Sequence, residues 1–302
     1  MKIAIDGLGK MGMQIANRLA VAKNEVIAHN RSPEKVDIAK QQFGAVPAYS
    51  KQEVVSNFNG EQVILWIMIP AESVDSELSE WLKLLKAGDI IIDGGNSDFR
   101  DTKRHYEQAK QSGVKFIDIG TSGGILGMIH GFSMMIGGDE TAFKTIEPAL
   151  QALISPEGGY HYFGPSGSGH FVKMVHNAIE YGVMESLAEG YRILKEGPYD
   201  NIDLAAAANV WQHGSIIASD LNALTEQVMK ENPELKGIDG YVAESGEARW
   251  TLEVAKQQNI AMPSILASFN VRLASQNGEI NYSTKLLAAM RNKFGGHDLN
   301  KK

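Results

Sequence analysis

The sequence contains no cysteine among its 302 residues. Disulfides, a thiolate nucleophile and cysteine-ligated metal sites are therefore excluded, and the composition suits a reducing compartment. Basic residues are also in the minority, with 29 Lys and Arg against 36 Asp and Glu, for a formal net charge of −7. This balance gives no electrostatic reason to expect nucleic acid or an acidic membrane as a partner.

Long hydrophobic runs are missing as well. The longest, residues 63–69, ends at Pro70 and is far shorter than the ~20 residues that a membrane-spanning helix needs. The apolar run at residues 2–6 is too short for the central region of a signal peptide. We expect a soluble cytoplasmic protein, long enough for two domains that each bury a core.

The first half alternates short apolar runs with helical patterns. Runs rich in Ile and Val predict strands at residues 2–6, 25–29, 63–69, 89–93, 115–119 and 133–136. Helices are predicted between them, at residues 11–22, 33–43, 73–85, 99–111 and 141–152. Continuous apolar strands are typical of a parallel sheet that is covered on both faces. The succession predicts an α/β fold whose N-terminal domain, residues 1–164, is a Rossmann-type doubly wound parallel sheet.

The strand-like runs fade after residue 164. One long helix is predicted at residues 171–194, and shorter ones at residues 204–211, 216–230, 250–258 and 265–276. We therefore predict an all-α domain over residues 165–302. Its last residues, 293–302, are polar and glycine-containing, which indicates a mobile tail.

A glycine-rich turn follows the first predicted strand and opens the first predicted helix. It runs Gly7-Leu8-Gly9-Lys10-Met11-Gly12. The first glycine allows a tight turn, the second admits a pyrophosphate to the backbone, and the third allows close packing of helix and strand. In this strand–turn–helix context the pattern predicts a dinucleotide site rather than a structural turn.

The end of the second predicted strand indicates which dinucleotide is bound. NAD enzymes usually place a carboxylate there for the ribose hydroxyls, whereas NADP enzymes offer an arginine to the 2′-phosphate. This chain has Asn30, Arg31 and Ser32. The segment favours NADP. NAD remains the alternative if Arg31 stacks on the adenine.

Two further polar loops follow predicted strands. One contains Asn96 and the other runs Ser122-Gly123-Gly124. Either could be a structural turn by itself. Ligand-binding loops of open α/β sheets collect at the carboxyl ends of the strands, so both loops are candidates for a shared site.

One face of the long helix carries a polar stripe. Its members are Lys173, His176, Asn177, Glu180 and Tyr181, whose spacing places them on one side of a helix. A lysine and a carboxylate on one stripe suggest a base and an acid. The alternative is a solvated helix face.

Together these motifs resemble the β-hydroxyacid dehydrogenases. The stretch from Gly169 to Tyr181, with the sequence GHFVKMVHNAIEY, is similar to that of the 6-phosphogluconate dehydrogenases, because simpler relatives carry Asn in place of His176 and an apolar residue in place of Glu180. The run from Arg291 to His297 resembles the carboxy-terminal arginine and histidine of that family. The chain resembles its short form, with an unduplicated helical domain.

The resemblance implies oxidative decarboxylation of 6-phospho-D-gluconate to D-ribulose 5-phosphate and CO2, a step of the pentose phosphate pathway. It implies that Lys173 is the base and Glu180 the acid that protonates C1. The substrate residues it implies are Asn96, Ser122, Gly123, Gly124, His176, Asn177, Tyr181, Arg272, Arg291 and His297. The cofactor residues it implies are Gly7, Leu8, Gly9, Lys10, Met11, Gly12, Asn30, Arg31, Ser32, Met68 and Asn96.

The resemblance also implies that the helical domain binds substrate and mediates assembly. The expected state is a homodimer or homotetramer whose C-terminal tail reaches a neighbouring active site. As an alternative, Arg272 and Arg291 could be surface helix residues. From spacing alone, His297 would be part of a disordered tail.

The segment around Ser245 and Glu247 departs from the family pattern. Long-form enzymes usually carry a lysine and a threonine at these positions, both in contact with substrate. A carboxylate near a phosphate is unfavourable unless it points away or pairs with a cation such as Arg249. Neither residue is therefore predicted to bind substrate.

No metal site is predicted, because His170 and His176 fall on different helical faces and no other cluster has ligand spacing. Two other functions remain open. The chain could be a β-hydroxyacid dehydrogenase for a small unphosphorylated 3-hydroxy acid, which has no use for Glu180 or a phosphate site. It could also be a non-catalytic NADP-binding redox sensor.

Overall fold

The computed structural model describes residues 1–300. The chain forms two compact units, one over Met1–Met174 and the other from Val175 onward. The division falls inside a long helix, α8 (Ser168–Glu196), which begins in the first unit and continues into the second.

The first unit is built on one sheet. Its strands are β1 (Lys2–Asp6), β2 (Glu25–His29), β3 (Val46–Ala48), β4 (Ile64–Ile67), β5 (Ile90–Asp93), β6 (Lys115–Ser122), β7 (Ser133–Gly138) and β8 (Gly159–Tyr162). Their spatial order is β3-β2-β1-β4-β5-β6-β7-β8. Every neighbouring pair is parallel except β6 and β7, which are antiparallel.

Helices cover both faces of this sheet. They are α1 (Lys10–Val21), α2 (Pro33–Phe43), α3 (Lys51–Ser56), α4 (Ala71–Trp81), α5 (Phe99–Gln111), α6 (Gly127–His130) and α7 (Glu140–Ile154), with a short 3-10 turn at Gly124–Leu126. One apolar core includes Ile15 and Ile146, and another on separate strand positions includes Trp81 and Phe116. The predicted doubly wound α/β architecture is therefore confirmed.

The strand order fixes where ligands can bind. β1 pairs with β2 on one side and with β4 on the other, so the chain reverses its direction of winding beside β1. In open α/β sheets this reversal opens a crevice outside the carboxyl ends of the strands. The glycine turn after β1 and Met68 after β4 both lie at that edge.

The second unit is helical throughout its described residues. Beyond α8 it contains α9 (Leu204–Gln212), α10 (Asp220–Glu231), α11 (Glu247–Gln257), α12 (Pro263–Gln276) and α13 (Tyr282–Gly295). Its core includes Met184, Tyr191 and Leu286, all fully shielded from solvent. The predicted all-α domain is confirmed, and no helix among residues 1–300 is long and apolar enough to cross a membrane.

Several elements differ from the sequence prediction. The short strands β3 and β8 and the helix α13 were not predicted. A capping box starts α13, with Asn281 accepting from the Thr284 N–H and Thr284 accepting from the Asn281 N–H. Because α13 continues to Gly295, the beginning of the predicted tail at 293–302 is helical. β6 also runs past Ile119 to Ser122, since its residues from Ile117 to Ser122 pair with β7.

Candidate active site

The glycine turn after β1 has one open position between two crowded ones. A Cβ on Gly7 would lie 2.4 Å from the Met68 carbonyl oxygen, and a Cβ on Gly12 would lie 2.0 Å from the Gly7 carbonyl oxygen. A Cβ on Gly9 would have no heavy atom within 4 Å. Two glycines are therefore needed for packing, while Gly9 leaves the backbone open to a ligand.

The start of α1 suits an anion. Gly9 is the N-cap, no side chain caps the helix, and no acidic residue lies in the first turn. The first N–H groups of a helix lack intrahelical acceptors, and the helix dipole favours negative charge at this end. These residues fit the pyrophosphate of a dinucleotide.

The polar side chains of the segment after β2 have two different roles. One hydrogen-bonds to the backbone, and the others are exposed to solvent. The Leu8 N–H donates to Asn30 Oδ1 at 2.8 Å, and Asn30 Nδ2 donates to the Ser32 carbonyl oxygen at 3.2 Å. Asn30 thus fastens the glycine turn to the end of β2. Arg31 and Ser32 are exposed there, in a position to meet a ligand.

A buried carboxyl group that sequence reasoning missed lies under this turn. Asp6, the last residue of β1, accepts from Trp81 Nε1 at 2.8 Å, and its Oδ1 is 3.9 Å from His29 Nε2. Burial, and next the negative charge of Glu77, raise the pKa of Asp6 to about 7. The signal in the sequence was an aspartate that ends an otherwise apolar strand.

Asn96 stands exposed on a loop that Asp93 holds in shape. Asp93 is 1% exposed and accepts from the Gly95 N–H at 3.1 Å and from Ser97 Oγ at 2.9 Å. A Cβ on Gly94 would lie 2.0 Å from Trp66 Nε1. The loop is therefore held from both sides, and Asn96 at its tip is accessible.

The second polar loop begins as β6 ends. Ser122 is the last strand residue, and Gly123 and Gly124 follow with φ angles of 127° and 53°. Side chains rarely adopt such angles, so both glycines are required by the turn. Gly123 is exposed, which leaves its backbone accessible.

The start of α8 is fixed by a buried acid. Asp118 on β6 is fully buried and accepts from the Gly167 N–H at 2.8 Å and from the His170 N–H at 2.9 Å. His170 Nδ1 lies 2.7 Å from Thr102 Oγ1. Burial raises the pKa of Asp118, which these two N–H groups and the nearby His170 counteract. These bonds set the position of the helix that carries Lys173.

Lys173 is 5% exposed and packs against Gly120 of β6. A Cβ on Gly120 would lie 2.2 Å from the Cβ of Lys173. The absence of a side chain at Gly120 therefore lets the lysine stem lie directly on the strand end. Sequence reasoning identified Lys173 but not Gly120 or Asp118 as its supports.

His176, Asn177 and Glu180 lie on the next turns of α8, in the second unit, and all are partly buried. His176 Nδ1 lies 3.0 Å from Asn177 Oδ1, and Asn177 Nδ2 donates to Glu247 Oε1 at 2.9 Å. Glu247 begins α11 and is 2% exposed. The part of the predicted polar stripe that lies in the second unit is therefore partly buried and is not a solvated helix face.

Two arginines are buried in the same unit. Arg272 is 2% exposed and Arg291 is 7% exposed. The Arg272 Cζ lies 3.2 Å from the centroid of the Tyr181 ring, and its Nη2 is 3.7 Å from Met184 Sδ. Within residues 1–300 neither guanidinium has a carboxylate at salt-bridge distance. The alternative of a surface location is therefore wrong for both.

The two arginines repel one another because both are positively charged, and this repulsion affects the pKa of Arg272. Burial, with the positive charge of Arg291 adding to it, lowers the pKa of Arg272 to about 10, although Tyr181 and the acids Glu180 and Glu185 counteract this. Burial also lowers the pKa of Arg291. Two desolvated cations that have no ion-pair partner among the described residues form a site that favours a multiply charged anion.

The two C-terminal residues that the resemblance links to substrate, Arg291 and His297, lie in different surroundings. Arg291 lies in α13 within charge-interaction range of Arg272 of the same chain. His297 is exposed, and its ring meets the Phe294 ring edge-on at 6.3 Å. One chain thus brings the two arginines together, while a tail that reaches a neighbouring subunit remains a prediction. Among residues 1–300, no group of three or more His, Asp or Glu side chains could hold a metal ion.

Comparison with known proteins gives a consistent result. The family model described as "NAD binding domain of 6-phosphogluconate dehydrogenase" matches residues 2–158. The family model described as "6-phosphogluconate dehydrogenase, C-terminal domain" matches residues 169–302. YqeC of Bacillus subtilis (strain 168), provisionally named a 6-phosphogluconate dehydrogenase, is 39% identical over 302 residues, which are 100% of both chains.

Two further similar proteins also carry the name 6-phosphogluconate dehydrogenase. The NAD(+)-dependent, decarboxylating 6-phosphogluconate dehydrogenase of Haloferax volcanii is 36% identical over 304 residues, covering 100% of this chain and 99% of the relative. The solved 6-phosphogluconate dehydrogenase of Plasmodium falciparum has a TM-score of 0.82 at 26% identity, covering 96% of this chain and 70% of that chain. The chain is therefore an oxidoreductase that belongs to the 6-phosphogluconate dehydrogenase family.

Proposed function

We propose that the chain catalyses the oxidative decarboxylation of 6-phospho-D-gluconate to D-ribulose 5-phosphate and CO2, with reduction of NADP or NAD. The observation that carries the proposal is the pair of buried arginines, Arg272 and Arg291, which have no carboxylate at salt-bridge distance in the part of the chain that the structure describes. Burying unpaired charge is costly, so a structure that keeps two such cations needs an anionic ligand to offset the cost. A phosphate with two negative charges supplies that match.

The remaining polar residues suit the sugar acid. In the first unit, Asn96 and the Ser122 loop stand at the carboxyl ends of β5 and β6. In the second, His176 and Asn177 offer a ring nitrogen and an amide. These are the groups that recognise hydroxyls and a carboxylate.

The chemistry requires a base and an acid from this chain. Lys173 accepts the proton of the C3 hydroxyl as that carbon is oxidised, and the bound nicotinamide supplies the hydride acceptor. The resulting β-keto acid loses CO2 when the electrons of its C1–C2 bond move toward the ketone, whose oxygen takes the proton back from Lys173 to give the enediol. Glu180 then donates a proton to C1 of the enediol. Both steps are general acid–base catalysis by groups held on one helix.

An anaerobic assay tests the proposal directly. 6-Phosphogluconate and unphosphorylated gluconate are each supplied with NADP, and reduced cofactor and CO2 are followed together. We expect both products in equal amounts from 6-phosphogluconate, and a kcat/KM at least 100-fold lower for gluconate because the arginine site is left unfilled. Equal activity on an unphosphorylated 3-hydroxy acid, without CO2, would instead support a simpler β-hydroxyacid dehydrogenase. Cofactor binding with no turnover would support the redox sensor.

For the cofactor we propose NADP as the preferred form, with NAD as the alternative. Arg31 and Ser32 are exposed after β2, and β2 ends in His29 rather than in a carboxylate. A guanidinium that follows a strand with no carboxylate at its end suits a 2′-phosphate. In Arg31→Ala, kcat/KM should fall at least 10-fold for NADP and little for NAD. A wild-type preference for NAD would reject this part of the proposal.

We also propose a homo-oligomer, either dimer or tetramer. Within the second unit, α8 leaves Ile179, Val183 and Ile193 exposed along one side. An apolar stripe of this kind suits burial against another subunit. Light scattering of the purified protein at micromolar concentration distinguishes this state from a monomer.

A further inference from the structure

Glu247 is a buried acid in the second unit for which the proposed reaction has no use. It begins α11, is 2% exposed, and accepts two hydrogen bonds. Ser245 Oγ donates to its Oε2 at 2.6 Å, and Asn177 Nδ2 donates to its Oε1 at 2.9 Å. The Arg249 side chain pairs with Glu244 instead, so the cation suggested by the sequence does not explain Glu247.

These contacts determine the orientation of the Asn177 amide. A carboxylate can only accept hydrogen bonds, so the group of Asn177 that faces Glu247 must be the NH2. The amide oxygen then faces His176, whose Nδ1 lies 3.0 Å from it. An amide oxygen can only accept, and the ring nitrogen opposite must therefore carry the proton.

We propose that Glu247 is a positioning residue that fixes the tautomer of His176 through Asn177. In neutral His176 the proton lies on Nδ1, which leaves Nε2 as the acceptor nitrogen of the ring. This Nε2 accepts a hydrogen bond from a hydroxyl group of the substrate. That last step rests on the proposed function, whereas the tautomer does not.

The position of Glu247 also explains how an acid is tolerated beside the arginine site. The negative charge of Glu247 raises the pKa of Arg291, so the two groups interact favourably. Its oxygens are nevertheless directed to Ser245 and Asn177 and not to a guanidinium. Glu247 thus orients neutral polar groups while Arg291 keeps its capacity for an anion.

The tautomer can be measured without substrate. Nitrogen-15 NMR of ring-labelled full-length protein at about pH 8.5, well above the usual histidine pKa of ~6.5, distinguishes Nδ1–H from Nε2–H. The His176 signals are assigned by their loss in His176→Asn. We expect the wild-type ring to carry its proton on Nδ1. A wild-type ring protonated on Nε2 would overturn the proposal even if no Glu247 variant folded.

Two substitutions separate positioning from packing. Glu247→Leu keeps most of the volume but removes the acceptor, so the His176 signals should shift to the Nε2–H form or to a mixture. Glu247→Gln can still present its oxygen to Asn177 while its NH2 donates to Ser245, and should retain the Nδ1–H form. An unchanged tautomer in a folded Glu247→Leu protein would also overturn the proposal.

Kinetics then tests the catalytic consequence. We expect kcat/KM for 6-phosphogluconate to fall about 10-fold or more in Glu247→Leu, and much less in Glu247→Gln, while the Kd for NADP stays within about 2-fold. Glu253→Gln, a charge change on the same helix, is the matched control and should keep wild-type kinetics. If the tautomer changes without loss of activity, the link between Glu247 and substrate binding fails while the proposed function stands.

Discussion

Gly120 on β6 and Lys173 on α8 approach so closely that a Cβ at position 120 would lie 2.2 Å from the lysine Cβ and 2.7 Å from its Cγ. No side chain fits between the strand and the base. Gly120→Ala should therefore displace the lysine stem, because overpacking of a buried contact forces side chains or backbone to shift at a cost of about 1–3 kcal/mol. We expect kcat to fall at least 10-fold in an assay with saturating cofactor.

The matched control for this substitution is Gly159→Ala. A Cβ on Gly159 would meet no heavy atom within 4 Å. Its kinetics should equal those of the wild type, and the Kd for NADP should be unchanged in both variants. Normal kcat in Gly120→Ala would mean that Lys173 does not need its present position.

Asp118→Ala should destabilise the protein more than an ordinary surface change. The substitution leaves the N–H groups of Gly167 and His170 without their acceptor in a buried place. Each unsatisfied buried donor costs about 1–3 kcal/mol, so urea denaturation should show a loss of roughly 2–5 kcal/mol. Asp118→Asn keeps one acceptor and should lie between. A loss below about 1 kcal/mol in the alanine variant would contradict this role.

Elements with a strong local pattern were predictable from the sequence. The strand β1 and the helix α2 have their predicted bounds, since continuous apolar residues and a proline in the first helical turn are local signals. The strands β3 and β8 were missed because neither is a continuous apolar run, since β3 contains a proline and β8 has the sequence GYHY, and their pairing partners lie far along the chain. Pairing across a sheet has no short-range signature.

The candidate site shows the same division. Lys173 and Glu180 could be found from helical spacing, and the family resemblance pointed to Arg272 and Arg291. The burial of those arginines could not be predicted from the sequence, because it depends on how α12 and α13 pack within the second unit. The role of Glu247 was missed for the same reason, since its partner Asn177 is seventy positions away.

Arg291→Met should lower affinity for phosphate without lowering stability. The two buried arginines repel one another and, within residues 1–300, lack carboxylates at salt-bridge distance. Removing Arg291 relieves this repulsion and the cost of its burial, which outweigh its attraction to Glu180 and Glu247. The free energy of unfolding should stay the same or rise by about 1–2 kcal/mol. Inorganic phosphate should raise the Tm of the wild type, because ligands that bind only the native state stabilise it, and should raise that of the variant much less.

Lys293→Met provides the control for the loss of one positive charge on the same helix. Lys293 is paired with Glu231 at 2.6 Å near the surface. Its phosphate response should match the wild type. If Arg291→Met and the wild type responded equally to phosphate, the arginines would not form the anion site.

Asp6 should make stability depend on pH in a defined direction. Its folded pKa of about 7 lies above the ordinary aspartate value of 3.8, so the folded state holds the proton more tightly than the unfolded chain. The resulting stabilisation is fully present below about pH 4 and is lost as pH rises through about 7. Relative to Asp6→Asn, the wild-type free energy of unfolding should fall by on the order of 2–4 kcal/mol across that range. Denaturant titrations at several pH values give this difference, and a flat difference would show that Asp6 ionises normally.

Glu180→Gln should separate the two halves of the reaction. Oxidation at C3 and loss of CO2 do not need a proton from Glu180, whereas the enediol needs one at C1. The amide cannot supply that proton, so ribulose 5-phosphate should form at least 100-fold more slowly. Single-turnover experiments should still show reduced cofactor and CO2, and the Kd for NADP should be unchanged.

In deuterated solvent the wild type should place one deuterium at C1 on a single face, because a fixed acid delivers it. The variant should give a mixture of both faces, since water then protonates the released enediol. Unchanged turnover with stereospecific labelling in Glu180→Gln would remove this residue from the mechanism.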